Sequence, residues 1–173
     1  MSDEGATPRE ILFESCRRDN HQLLTDLFLE IGSHDEIIKL INTAQDGLGC
    51  GALHIAAQYG SYDVLDQLLD QEGVEIDLTE RREGDTCLHK AVRYVNGLQS
   101  TAWVEGNKVP EILIDAGCDP RIRNKAKLKP FDLVDPRNTA LRSMLQKAEF
   151  TMVAGDDVVQ DDSDDGGPAS DSD

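Results

Sequence analysis

The feature that most constrains this chain is that it repeats itself. Gly49-Cys50-Gly51-Ala52-Leu53-His54-Ile55-Ala56-Ala57 aligns with Gly84-Asp85-Thr86-Cys87-Leu88-His89-Lys90-Ala91-Val92, and the leading glycines lie 35 positions apart. Self-similarity at this period marks a stack of small supersecondary units, because one unit cannot bury its apolar face until a neighbour covers it. After the first copy, Val64, Leu65, Leu68 and Leu69 fall three and four positions apart, the spacing of one buried helix face. Aromatic residues make up only 5% of the chain, so the core must be built from Leu, Ile, Val and Ala between short helices. Small residues at Ala56, Ala57 and Ala91 let those helices approach closely.

Both segments are versions of the motif G-x-T-P-L-H-x-A-A, and on them the chain resembles the ankyrin-repeat superfamily. Tyr59-Gly60-Ser61-Tyr62-Asp63-Val64-Leu65 leads into Leu68-Leu69, and Ile112-Leu113-Ile114-Asp115-Ala116-Gly117-Cys118-Asp119 is similar to the family's L-L-x-x-G-A-D. A weaker unit begins at Asn124, where Lys129-Pro130-Phe131-Asp132-Leu133 stands for T-P-L-D-L. A first, degenerate one places Leu12-Phe13 and Leu27-Phe28 at the motif positions. The resemblance implies an all-α solenoid of about four helix-turn-helix repeats over residues 7–150, joined by short β-hairpin-like turns. Residues 1–6 are expected to form a flexible N-terminus and 151–173 a disordered acidic tail.

The spacing shows where the chain departs from the family. Leu12 to Leu53 is 41 positions, Leu53 to Leu88 is 35 and Leu88 to Phe131 is 43, against a usual period of about 33. The surplus in the third repeat falls near residues 96–107, between its two helices. In the first it falls near 32–46, after the second helix. Thr86 and Pro130 are what survives of the helix-opening Thr-Pro pair, one in each of two repeats.

Charge narrows the function. The net charge is -17, and from Ala148 to Asp173 there is no Lys or Arg while nine carboxylates accumulate. A phosphate backbone is repelled by such a chain, so nucleic acid is not expected as a direct ligand. No apolar run approaches the ~18 residues of a membrane helix, and the acidic start Met1-Ser2-Asp3-Glu4 is unlike a secretory signal. A cytoplasmic place, with the nucleus also open, follows as the expectation. Cys16, Cys50, Cys87 and Cys118 are widely spaced and read as buried free thiols.

His54 and His89 invite a metal or catalytic reading, but the family's equivalent histidine bonds backbone at the loop-helix junction. His21 and His34 have no ligand partner at i+3 or i+4, so neither a metal nor a cofactor is expected. Asp132, at the fourth repeat's histidine position, carries no acid-base implication. No phosphate loop, nucleophile elbow or dinucleotide fingerprint occurs, and the chain is read as non-enzymatic.

The resemblance points instead to the family's concave side. Matching the motif, the variable ends of the first helices are Arg17 and Arg18, Gln58 and Tyr59, Arg93 and Tyr94, then Pro136 and Arg137, with Arg82 and Glu83 at the third hairpin tip. Arg and Tyr are the residues enriched at binding hot spots. Arg121, Arg123, Lys125, Lys127 and Lys129 add cations at alternate positions of a strand-like run. Trp103, the only tryptophan, lies in the third-repeat insertion and reads either as a partner anchor or as a cover for the chain's own helix ends.

The expected function is therefore a protein-protein interaction module, an adaptor or dedicated escort chaperone that grips a protein client in its concave face. The acidic tail would shield a basic client, with Ser163, Ser170 and Ser172 able to accept phosphate, fold back over the basic ladder, or only keep the protein soluble. The architecture resembles small fungal ankyrin-repeat proteins with acidic tails, which implies a basic client of ribosomal-protein type and a monomer when free. A stable regulatory subunit of a larger complex is the alternative within binding; a cryptic metal-binding or enzyme-associated protein is the alternative from another class.

Overall fold

Several helices begin at a side-chain cap that the sequence carries. In the computed structural model, which describes residues 5–166 and the side chains of 5–155, Thr7 accepts from Glu10 N–H ahead of Pro8 and opens α1 (Pro8–Arg18). Asn20 caps α2 (His21–Ile31), and Ser33 caps α3 (His34–Thr43). The second repeat contributes α4 (Ala52–Gln58) and α5 (Tyr62–Leu69). The third begins with α6 (Cys87–Asn96), capped by the Thr86 hydroxyl. A 3-10 turn at Ser100–Ala102 and the short α7 (Trp103–Gly106) precede its second helix, α8 (Lys108–Asp115). The last pair is α9 (Pro130–Leu133) and α10 (Thr139–Gly166).

The helices form two layers. The first helices α1, α4, α6 and α9 touch in sequence, and α2, α5 and α8 stack behind them. Between the layers lies an aliphatic core that includes Leu12, Leu24, Leu65, Leu68, Leu88, Leu113, Leu141 and Leu145, all fully buried. Each repeat leans on the next through polar bonds as well: Asp19, left-handed at φ 52°, accepts from Val64 N–H at 3.0 Å across the first junction.

Both surpluses are ordered. The one after α2 is the amphipathic α3, which buries Ile37 and Ile41, and the one near 96–107 is the 3-10 turn and α7. Among the described residues the hairpin-like turns contain no strand: the tips are held by isolated bonds such as Glu80 N–H to Asp85 O and Asn124 N–H to Leu128 O. The run 121–129 is accordingly loop and not strand-like. Its alternation is broken at Lys127, whose φ of 70° turns the backbone into the left-handed region.

The last helix does not stop at residue 150, where the repeat body was expected to end. It is continuous to Gly166, because Ala148, Glu149, Met152 and Ala154 suit a helix and no proline interrupts before Pro168. Residues 1–4 of the expected N-terminus and 167–173 of the expected tail, with Ser170 and Ser172, lie outside the described residues. No helix among the described residues is long and apolar enough to cross a membrane.

Candidate protein-binding face

The two motif histidines are structural. Nδ1 of His89 accepts from Thr86 N–H at 3.0 Å, so its neutral ring carries the proton on Nε2, which donates to Leu128 O at 2.8 Å. His54 does the same, accepting from Gly51 N–H and donating toward Leu78 O and Asp85 O. Each ring thus ties a helix start to the following hairpin tip. Burial pushes both histidines below their ordinary value, despite the carbonyl bonds that favour the charged form. Asp132, at the equivalent place in α9, accepts from Lys129 N–H at 2.9 Å.

Beneath the first-helix layer is a charged network that the sequence reading missed. Asp85 is wholly buried; it receives Arg93 Nε at 2.7 Å and Asn124 Nδ2 at 2.9 Å, with Lys90 Nζ 3.6 Å away. Glu80, only 2% exposed, accepts from the N–H groups of Arg82 and Glu83, and Lys90 Nζ lies 3.3 Å from it. Burial alone would raise both carboxyls, but the hydrogen bonds and cations outweigh it and hold both below the ordinary range. Glu83 completes a cluster of three carboxylates whose oxygens lie within 4.8 Å of one another. Lys90 and Arg93 already supply its counter-charge, and backbone N–H groups take up Glu80, so the donor set is spent on the protein's own groups.

Above this network the layer opens into a pocket of about 260 Å³. Arg17, Gln58, Tyr59 and Arg82 all line it, with Leu48 on the rim and Lys90 at its base. Tyr59 and Leu48 are each 50% exposed, an aromatic and an aliphatic surface side by side. Arg17 makes a surface ion pair with Glu14 at 3.2 Å, and Arg18 pairs with the same carboxylate outside the pocket.

The ladder expected from sequence does not run on past this pocket. Arg93 is turned down onto Asp85 and Glu83. Tyr94 points to the turn at Gly60, where φ is +68° and an added Cβ would fall 2.1 Å from the ring, and it lines a separate concavity with Leu98 and Gly106. Trp103 is 9% exposed and lies under Arg137, whose guanidinium carbon is 5.6 Å from the ring centroid. Of the two sequence readings of Trp103, this geometry is that of a cover. Arg137 also holds Asp135 down to about 2 through a side-chain hydrogen bond. Of the cations in 121–129, Arg121 is taken up by Asp119 and Lys129 by Glu149 at 2.8 Å.

Comparison with known proteins agrees with this architecture. The family model for ankyrin repeats (3 copies) matches residues 4–124. The chain is 41% identical over 155 residues to the ankyrin repeat-containing protein YGL242C of Saccharomyces cerevisiae, covering 88% of this chain and 83% of that protein. It is 37% identical over 94 residues to the transient receptor potential cation channel subfamily A member 1 homolog of Caenorhabditis elegans, covering 54% of this chain but 7% of the channel. To the human inhibitor of Bruton tyrosine kinase it is 27% identical over 136 residues, 75% of this chain and 9% of that protein. Paired helices, a histidine at the starts of α4 and α6 bonded to the next tip, and this match together place the chain in the ankyrin-repeat family.

Proposed function

We propose that this protein is a non-enzymatic binding module that grips a segment of a partner protein in the pocket formed by Arg17, Gln58, Tyr59 and Arg82. The observation that carries this reading is the coincidence of an exposed tyrosine, an exposed leucine and arginine side chains over one concavity, the composition of a hot spot before it is covered. The acidic stretch from Ala148 onward supports the finer reading, an escort or adaptor whose client is basic and is held partly by charge. The test is quantitative affinity purification with the full chain and its Arg17→Ala/Tyr59→Ala/Arg82→Ala variant, after circular dichroism has shown that both are folded. A partner depleted at least tenfold by the variant supports the pocket; a partner retained equally by both refutes it.

A second reading, a stable subunit of a larger assembly, is favoured by the solenoid's last helix. Phe150 is 73% and Val153 47% exposed on α10, and Met144 and Met152 line an apolar groove against α8. A partner that survives washing in molar salt but is lost on Phe150→Ala/Val153→Ala would favour the subunit over the escort.

A further inference from the structure

The hairpin tips hold a second concavity, of about 540 Å³, on the outer edge of the repeats. Arg81, Arg123 and Lys125 converge on it, and among the described residues Glu80 is the only carboxylate in its wall. That carboxylate is buried and already bonded to Arg82 and Glu83 N–H groups, with Lys90 beside it. The converging cations meet backbone carbonyls instead: Arg81 Nη2 donates to Gly47 O at 3.1 Å, Arg123 Nη1 to Lys127 O at 2.9 Å, and Lys125 Nζ to Arg81 O. A carbonyl satisfies a donor but leaves its charge uncompensated. Elsewhere in this acidic chain, Arg93, Lys108, Arg121, Lys129 and Arg137 each have a carboxylate within 3.3 Å.

The backbones that carry Arg81 and Lys125 are also held in place. Gly49, at φ +84°, lets Arg81 close in so that an added Cβ would be 2.7 Å from its Cβ. Gly84, at φ +72°, admits Lys125 in the same way, an added Cβ lying 3.0 Å from its N and Cγ. Lys125 N–H donates across to Glu83 O at 2.9 Å. The tips are thus stacked backbone to backbone with their charges facing one hollow, an arrangement that limits the ordering entropy a ligand must overcome.

We propose that this edge is a docking site for a carboxylate-rich segment of a partner protein, distinct from the concave pocket. Guanidinium forks match carboxylates in a bidentate manner, and each such charge-assisted bond is among the stronger polar contacts. The chain's overall negative charge does not forbid it, because charges more than about 8 Å away are largely screened at physiological ionic strength. The chain's own acidic stretch is a less suitable occupant: α10 stays alongside α8 through Met152 and Gly155 and runs on as continuous helix to Gly166.

The test is fluorescence anisotropy with a labelled octaglutamate peptide and the full chain, at low and near-physiological salt. The peptide binds the wild type, and Arg123→Gln/Lys125→Gln weakens it by about tenfold or more. Arg142→Gln/Lys147→Gln, the same change in net charge elsewhere, leaves binding within about twofold. Equal weakening by both pairs, or no binding to the wild type, overturns the proposal. So does binding that emerges only after Asp161, Asp162, Asp164 and Asp165 are changed to Asn, since the chain's own segment would then be the occupant. Tyr59→Ala/Arg17→Ala leaves peptide binding intact, which separates this site from the concave pocket; loss in that variant would place the peptide there and overturn the edge.

Discussion

Asp85 and Arg93 hold each other through a 2.7 Å bond in which the carboxylate is wholly buried and the guanidinium reaches the surface of the groove. The same carboxylate serves Asn124 from the fourth repeat and stands beside Lys90, so removing it strands donors in two repeats. Asp85→Ala is expected to cost about 3–5 kcal/mol, and Asp85→Asn less, because an amide oxygen can still accept from Asn124. Urea unfolding measures both; a loss under about 1 kcal/mol for the alanine variant would show that the network contributes little.

Acid should weaken the fold in two stages. His54 and His89 have folded values below their ordinary 6.5, so the stability they contribute is full above that value and declines as pH falls and the unfolded chain takes up protons first. Asp85 and Glu80 are likewise depressed, and their contribution is lost only below about pH 4, as pH falls through their folded values. Asp19 and Asp77, raised by burial, act in the opposite sense and soften the second stage. A melting temperature unchanged between pH 7.5 and 5 would contradict the histidine stage.

The thiols should be silent in the folded protein. All four cysteines are buried and free, and burial pushes Cys16 up to about 12 and Cys50 up to about 11. Cys118 is raised as well, by its contact with the Cys87 sulfur 3.8 Å away and by burial. Iodoacetamide at pH 8 is therefore expected to modify none until denaturant is added. Mass spectrometry showing rapid alkylation of the native chain would mean that the repeats open far more readily than their packing implies.

Gly60 and Tyr94 form a matched pair. Gly60→Ala meets a left-handed backbone and the Tyr94 ring together and should cost about 2–4 kcal/mol. In a Tyr94→Ala background only the backbone part, about 1–2 kcal/mol, should remain. A double-mutant cycle measures the difference, and strict additivity would show that the ring swings clear.

Trp103, as the single tryptophan, reports on the insertion alone. Its burial beneath Arg137 predicts blue-shifted emission that partner binding in the concave pocket leaves unchanged. Trp103→Ala should cost about 3–5 kcal/mol. A red-shifted native spectrum, or a strong shift on adding a partner, would return Trp103 to the role of an anchor.

The repeats were legible because Leu-His-x-Ala recurs where helices must start, and the two surpluses were legible as excess length. That the first surplus is a helix was not read from the sequence, although Ser33 three positions before Glu36 and Ile37, Leu40 and Ile41 at helical spacing carry that signal. The buried network was not legible: a pattern reading assigns Glu80, Asp85 and Lys90 to the surface, and Asn124, 39 positions from Asp85, joins them only once the tips stack. The cations of 121–129 misled for a related reason. Alternation implies a strand only where neighbouring backbone pairs with it, and here Lys127 bends the chain away. The basic edge, likewise, exists only because two glycines bring separate loops into contact.

The 28 residues of α10 span about 42 Å at about 1.5 Å per residue. Its root is fastened in the core by Leu141 and Leu145, by the Glu149 contact with Lys129 and, as far as Gly155, along the groove it shares with α8; from there it runs on to Gly166 as a beam. The free end carries the carboxylates, where the negative pole of the helix dipole already lies, so the beam is built against its own electrostatics.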